Sequence, residues 1–65
     1  MEPKEIAYDL GFSRFQHETE LNATFARCAL YEEYRPMIVS MAETELEEDR
    51  LFAQFWQGVA DGLAE

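Results

Sequence analysis

One cysteine and one histidine, Cys28 and His17, are the only pair from which a thiol nucleophile and its base could be built. Eleven residues of separation on one helix is close to three turns, which sets both on nearly one face but about 16 Å apart along the axis. No hydrogen bond spans that gap, so thiol catalysis is not expected. Cys28 reads as a small core hydrophobe and His17 as a surface or packing residue. Carboxylates four apart share a helical face, so Glu43 with Glu47 and Glu45 with Asp49 could approach one hard cation. The helical di-iron pattern needs Glu-x-x-His, whereas this chain offers the reversed order in His17-Glu18-Thr19-Glu20. The acidic run also lacks the central glycine and alternating ligands of a calcium loop. Gly11, Gly58 and Gly62 are too scattered to form a phosphate loop. Neither an enzyme, nor a metal site, nor a cofactor is expected.

Two features remain unusual. The first is a run of acid, Glu43, Glu45, Glu47, Glu48 and Asp49, with Leu46 as its one apolar member. Like charges at i,i+4 cost an isolated helix about 0.2–0.5 kcal/mol per pair. Cations within reach are few: Arg50 for Glu47, and elsewhere Arg35 for Glu32. The run is either a solvated face that keeps a small protein dissolved or an anionic surface for a basic partner. The second feature is aromatic content, with five Phe, three Tyr and one Trp. Phe52, Phe55 and Trp56 cover two adjacent sides of one helix, so part of this cluster is expected to face a second copy or another partner. Aromatic residues are what interface centres favour.

The elements that must carry these residues belong to a short chain. At 65 residues there is room for one small domain and a marginal core. A hydrophobic share of 48% is too high for a disordered acidic tail. With Lys and Arg at 5 against Asp and Glu at 14, the formal net charge is −9, which argues against direct nucleic-acid binding. The first ten residues hold Glu2, Glu5 and Asp9 and no apolar run, unlike a secretory leader. The longest apolar stretches are far short of a membrane span. With a single free thiol, these points lead to an expectation of a cytoplasmic protein.

Helix punctuation is the clearest local signal. Pro3 suits a first turn, Ile6, Ala7 and Leu10 follow at helical spacing, and Gly11 is a candidate C-terminal cap, giving a helix over 3–10. Ser13 and Gln16 have the form of a capping box opening a second helix over 13–34, with Leu21, Phe25, Cys28 and Ala29 as its apolar stripe. Pro36 closes that helix and opens a third over 36–63, either continuous or broken near Asp49. No period-two alternation competes. The expected fold is all-α: a small domain of two or three helices, a helical hairpin plus a short N-terminal helix, with dimerisation into a bundle left open by the aromatic content. Breaks are expected at Gly11-Phe12 and Arg35-Pro36. Phe25, Cys28, Ile38, Met41, Phe52 and Phe55 are expected to be buried.

Two functional classes fit. In the first, the chain is a small acidic binding protein that presents Glu43, Glu45, Glu47, Glu48 and Asp49 to the basic groove of a larger, nucleic-acid-handling enzyme, as inhibitors carried by phages and mobile elements do. Carboxylates one helical turn apart lie about 5.4–6 Å apart along the axis, close to the phosphate step of a nucleic-acid strand. In the second, it is a helical assembly subunit that self-associates through Phe52, Phe55 and Trp56.

Overall fold

Three helices carry almost the whole chain: α1 (Pro3–Phe15), α2 (Glu20–Met41) and α3 (Glu45–Ala64). The computed structural model describes residues 2–18 and 20–65, apart from the side chains at positions 20 and 21, and no strand occurs among them. The all-helical expectation holds. The domain is elongated, about 35 × 20 × 15 Å.

α1 and α3 run parallel and touch backbone to backbone. Gly58 lies against Tyr8 and Phe12, and one turn on Gly62 lies against Phe12 and Gln16. From the other side, Gly11 faces the backbone of Phe55 and Val59. A Cβ at Gly11 would fall 2.8 Å from Val59 N and closer still to the Phe55 carbonyl. A Cβ at Gly62 would fall 2.8 Å from the Phe12 carbonyl. Only glycine admits this approach. α2 returns antiparallel to both and is held by larger side chains. Tyr34 meets Phe55 edge-on with centroids 6.3 Å apart, and Tyr31 lies 5.4 Å from both Phe52 and Trp56. The core consists of Ala7, Phe15, Tyr34, Ile38, Leu51, Phe55 and Val59.

Both expected breaks lie elsewhere. Gly11 does not cap α1; the helix passes through it to Phe15 and ends where Gln16 N–H donates to Phe12 O at 3.0 Å. Ser13 is therefore an exposed residue inside α1, and its capping box does not form. Pro36 does not divide the chain either, since α2 continues through it to Met41. An interior proline costs about 3 kcal/mol, through a lost N–H and a clash with the carbonyl four residues back. Pro36 faces solvent, so water can satisfy that carbonyl, while Ile38 and Met41 beyond it bury against the core. The second break falls at 42–44, and α3 is continuous through Asp49.

Continuity through Pro36 also reverses the inner face of α2. Ile38 and Met41 are in phase with Ala23, Leu30 and Tyr34, which point inward. Phe25 is 82% exposed and Cys28 is exposed, contrary to expectation. Cutting the helix at residue 35 disconnects the two halves and lets the shorter stripe of Phe25, Cys28 and Ala29 pass for the core. The place of Leu21 in that stripe lies outside the described residues. Ile38 and Phe55 are fully buried as expected, and Met41 and Phe52 are half-buried.

Alanine is a better helix former than glycine by about 1 kcal/mol. Gly11→Ala should nonetheless destabilise the domain, because forcing extra volume between rigid backbones costs about 1–3 kcal/mol and more where neither side yields. The expected result is a lower thermal unfolding midpoint by circular dichroism; a raised midpoint would show that the helices do not meet at Gly11.

Candidate functional site

α3 begins in the middle of the acidic run. Thr44 is its N-cap, with an extended backbone (φ −138°, ψ 164°) and a hydroxyl that accepts from Glu47 N–H at 3.1 Å. The Thr44 carbonyl accepts from Glu48 N–H at 2.9 Å, starting the helical ladder. Thr44-Glu45-Leu46-Glu47 is the capping-box pattern, and it was readable in the sequence. Glu45, Glu47 and Glu48 therefore stand in the first turn of α3, where unpaired N–H groups and the helix dipole favour negative charge. Each such carboxylate contributes about 0.3–1 kcal/mol at low ionic strength, which exceeds the like-charge cost of about 0.2–0.5 kcal/mol per pair. The fold itself thus accounts for part of the acidic run.

The parallel pairing brings a second acidic helix start to the same end. Glu2 and Glu5 flank Pro3 at the opening of α1, and a shallow groove there is lined by Glu2, Pro3 and Lys4 on one side and Leu46, Glu47 and Arg50 on the other. Glu43, Glu45 and Asp49 are exposed, while Glu47 and Glu48 are half-buried. Leu46, 63% exposed, stands among them. The ion pair found among the described residues is Lys4 with Glu2, 3.6 Å and well exposed, a geometry worth little. The expected pairs Arg50–Glu47 and Arg35–Glu32 are not formed. Lys4 and Arg50 are the cations at this end, and they leave it with a strong excess of acid.

The aromatic residues proposed for association are turned mostly inward. Phe55 is fully buried at the centre of the core, so it offers nothing to a partner. Its ring packs edge-on to Trp56 at 5.0 Å, and Phe52 and Trp56 both pack on Tyr31. Phe52 and Trp56 are half-buried, because α2 presents tyrosines to that side of α3. Cys28 and His17, read above as sharing a helix, belong to α2 and to the segment after α1 respectively. No cluster of His, Cys, Asp and Glu among the described residues has the geometry of a metal site.

Two side-chain links tie the other end together. Arg14 Nε donates to Tyr34 Oη at 2.6 Å, joining α1 to α2. Tyr8 Oη donates to Asp61 Oδ2, joining α1 to α3, while Gln57 Nε2 donates to Asp61 Oδ1 at 3.0 Å. Tyr8 is held above the ordinary value of 10.0, first by its hydrogen bond to Asp61, then by burial and by the negative charges of Asp61, Asp9 and Glu65.

No helix among the described residues is long and apolar enough to cross a membrane. No family model, curated protein or solved structure matches this chain.

Thr44→Ala should lower stability by about 0.5–2 kcal/mol through loss of the cap. Ser13→Ala should stay within about 0.5 kcal/mol of the native protein, as exposed substitutions do. Chemical denaturation of the two variants side by side checks the position of the helix start; equal effects would contradict it. A phenol whose folded pKa is raised binds its proton more tightly than in the unfolded chain. Its contribution is therefore complete below the unfolded value and is lost as pH climbs through the folded one. Tyr8→Phe should thus have a lower unfolding midpoint at neutral pH and a shallower decline above about pH 10. Thermal melts across the alkaline range measure both.

Proposed function

We propose that this chain is a non-enzymatic binding protein that presents its acidic end to a basic groove on a larger protein, one that handles nucleic acid. The carrying observation is the parallel packing of α1 on α3, which gathers Glu2, Glu5, Glu43, Glu45, Glu47, Glu48 and Asp49 at one pole around an exposed leucine. Charge surrounding an apolar anchor is the arrangement of a protein interface: the carboxylates steer the encounter and Leu46 contributes desolvated contact. Glu45 and Asp49, one turn apart and exposed, are about 6 Å apart along α3, a step similar to that between successive phosphates. A groove lined by Lys and Arg to hold a nucleic-acid strand would accept such a surface. Occupation of the groove would inhibit or regulate its owner. The free thiol of Cys28 suits a reducing compartment, which favours the cytoplasm as the place of action.

Replacing Glu45, Glu48 and Asp49 by Gln, Gln and Asn tests the reading. Loss of first-turn charge should lower α3 stability slightly, since the dipole contribution exceeds the relieved repulsion. A partner should first be captured from the native host at low salt. Binding of the folded triple variant to it should then show a slower association rate and a flatter dependence on salt. Surface plasmon resonance at two ionic strengths reads both quantities. Undiminished and equally salt-dependent binding by the variant overturns the proposal.

A further inference from the structure

The outward side of α2 carries an apolar stripe on a strongly acidic molecule. Phe25, Cys28, Ala29, Glu32, Pro36 and Val39 follow one another at helical spacing along that side, and all are exposed. Phe25 is 82% exposed and Val39 39%. Between Asn22 and Met41 two arginines, Arg27 and Arg35, balance two glutamates, Glu32 and Glu33, so the whole net charge of −9 resides elsewhere in the chain.

We propose that this stripe is a self-association surface, on which α2 of a second copy packs antiparallel about a two-fold axis at Glu32. This inference stands apart from the role proposed for the acidic end. An isologous interface must be self-complementary, and the stripe is. With Glu32 on the axis, Phe25 of each copy faces Val39 of the other, Cys28 faces Pro36, and the two Glu32 carboxylates meet across the axis, where Arg35 of each copy must offset their repulsion. The large ring at one end thus meets the small branched side chain at the other, twice. Glu32 and Arg35 have no ion-pair partner within the chain among the described residues. In this register Glu32 of each copy lies about 4.5 Å along the axis from Arg35 of the second copy, within reach of a salt bridge. Charge also selects the direction. The C-terminal end of α2 lies at the acidic pole, next to the start of α3, so parallel pairing would put two acidic poles together. Antiparallel pairing sets them at opposite ends of the dimer, separated by more than a Debye length at physiological salt.

Sedimentation equilibrium on the full chain at tens of micromolar tests the proposal, with the native protein expected at twice its 7.6 kDa mass. Phe25→Asp should return the monomer mass with an unchanged helical circular dichroism spectrum, because the ring contributes nothing to the core. Arg35→Glu and Glu32→Arg should each weaken the dimer at least tenfold, and the double variant E32R/R35E should recover it. Cys28 gives an independent reading of direction. The antiparallel register holds the two thiols about 12 Å apart along the axis, too far for a disulfide, whereas parallel pairing would bring them together. Mild oxidation should therefore leave native Cys28 free. A native monomer mass, a Phe25→Asp dimer, failure of the double variant to recover, or a rapid Cys28 disulfide would each overturn the arrangement.

Discussion

Where Gly11 meets Phe55 and Val59, and Gly58 and Gly62 meet Tyr8 and Phe12, two helix backbones lie against each other with no side chain between them. That contact fixes the positions of α1 and α3 relative to each other, because neither backbone can yield to added volume. A chain of 65 residues buries a small core, and close backbone approach adds dispersion contacts to those its large side chains supply. The conformational cost of three interior glycines is what the molecule accepts in return. α2 is packed by a different logic. Tyr31 and Tyr34 hold it away from α3 at ring-to-ring distances of 5.4–6.3 Å, and Arg14 reaches across to the Tyr34 hydroxyl. One helix pair is locked by small residues, and the third helix is propped against it by large ones.

Parallel packing of α1 and α3 has an electrostatic consequence. Two helix dipoles point the same way side by side, which places two partial positive charges at one end of the molecule. Glu5 in the first turn of α1, and Glu45, Glu47 and Glu48 in the first turn of α3, neutralise that end. The acid that looked gratuitous as a run is partly required by the direction of the helices. The excess over that requirement, in Glu2, Glu43 and Asp49, is what makes the pole strongly negative, and the proposed basic partner rests on that excess. Tyr8 and Asp61 close the same helix pair nearer its other end, so the two helices are joined by polar contact where the glycine seam finishes.

The sequence announced helices clearly and their boundaries poorly. Absence of two-residue alternation, together with the apolar spacing, was enough for the all-α fold. Gly11 and Pro36 misled because each has two physical meanings. A glycine after an apolar stretch ends a helix in one context and admits a neighbouring backbone in another, and only the tertiary contact distinguishes them. A proline breaks a helix unless burial beyond it outweighs the lost hydrogen bond, and here Ile38 and Met41 lie beyond it. The start of α3 carried a signal in the sequence, although the reading there opened the helix at Pro36. Thr44 stands three residues before Glu47, the same pattern that drew attention to Ser13, and Thr44 caps while Ser13 does not. Gly58 and Gly62, one turn apart, were a visible seam that spacing alone could not assign to a partner helix. The phase of α2 was lost with Pro36, and with it the side on which Phe25 lies.

Phe25, Cys28 and Ala29 formed a convincing apolar stripe because they are one, with the periodicity of a buried face but on the outward side. A small acidic chain gains nothing for solubility by exposing a phenylalanine, and burial of that ring would be worth about 1.5–3 kcal/mol if a surface were available to cover it. The inward stripe through Ala23, Leu30, Tyr34 and Ile38 already satisfies the fold. Two apolar faces lie on one helix, with Glu33 and Arg35 on the flanks between them, and the proposed dimer would bury the second. Its neutrality allows like molecules to approach there despite a net charge of −9 on each. The acidic pole, by contrast, repels its own kind and attracts the opposite charge. Under the two proposals partner choice would be divided between two surfaces: the apolar flank would take a copy of the chain, and the negative pole would take only something basic.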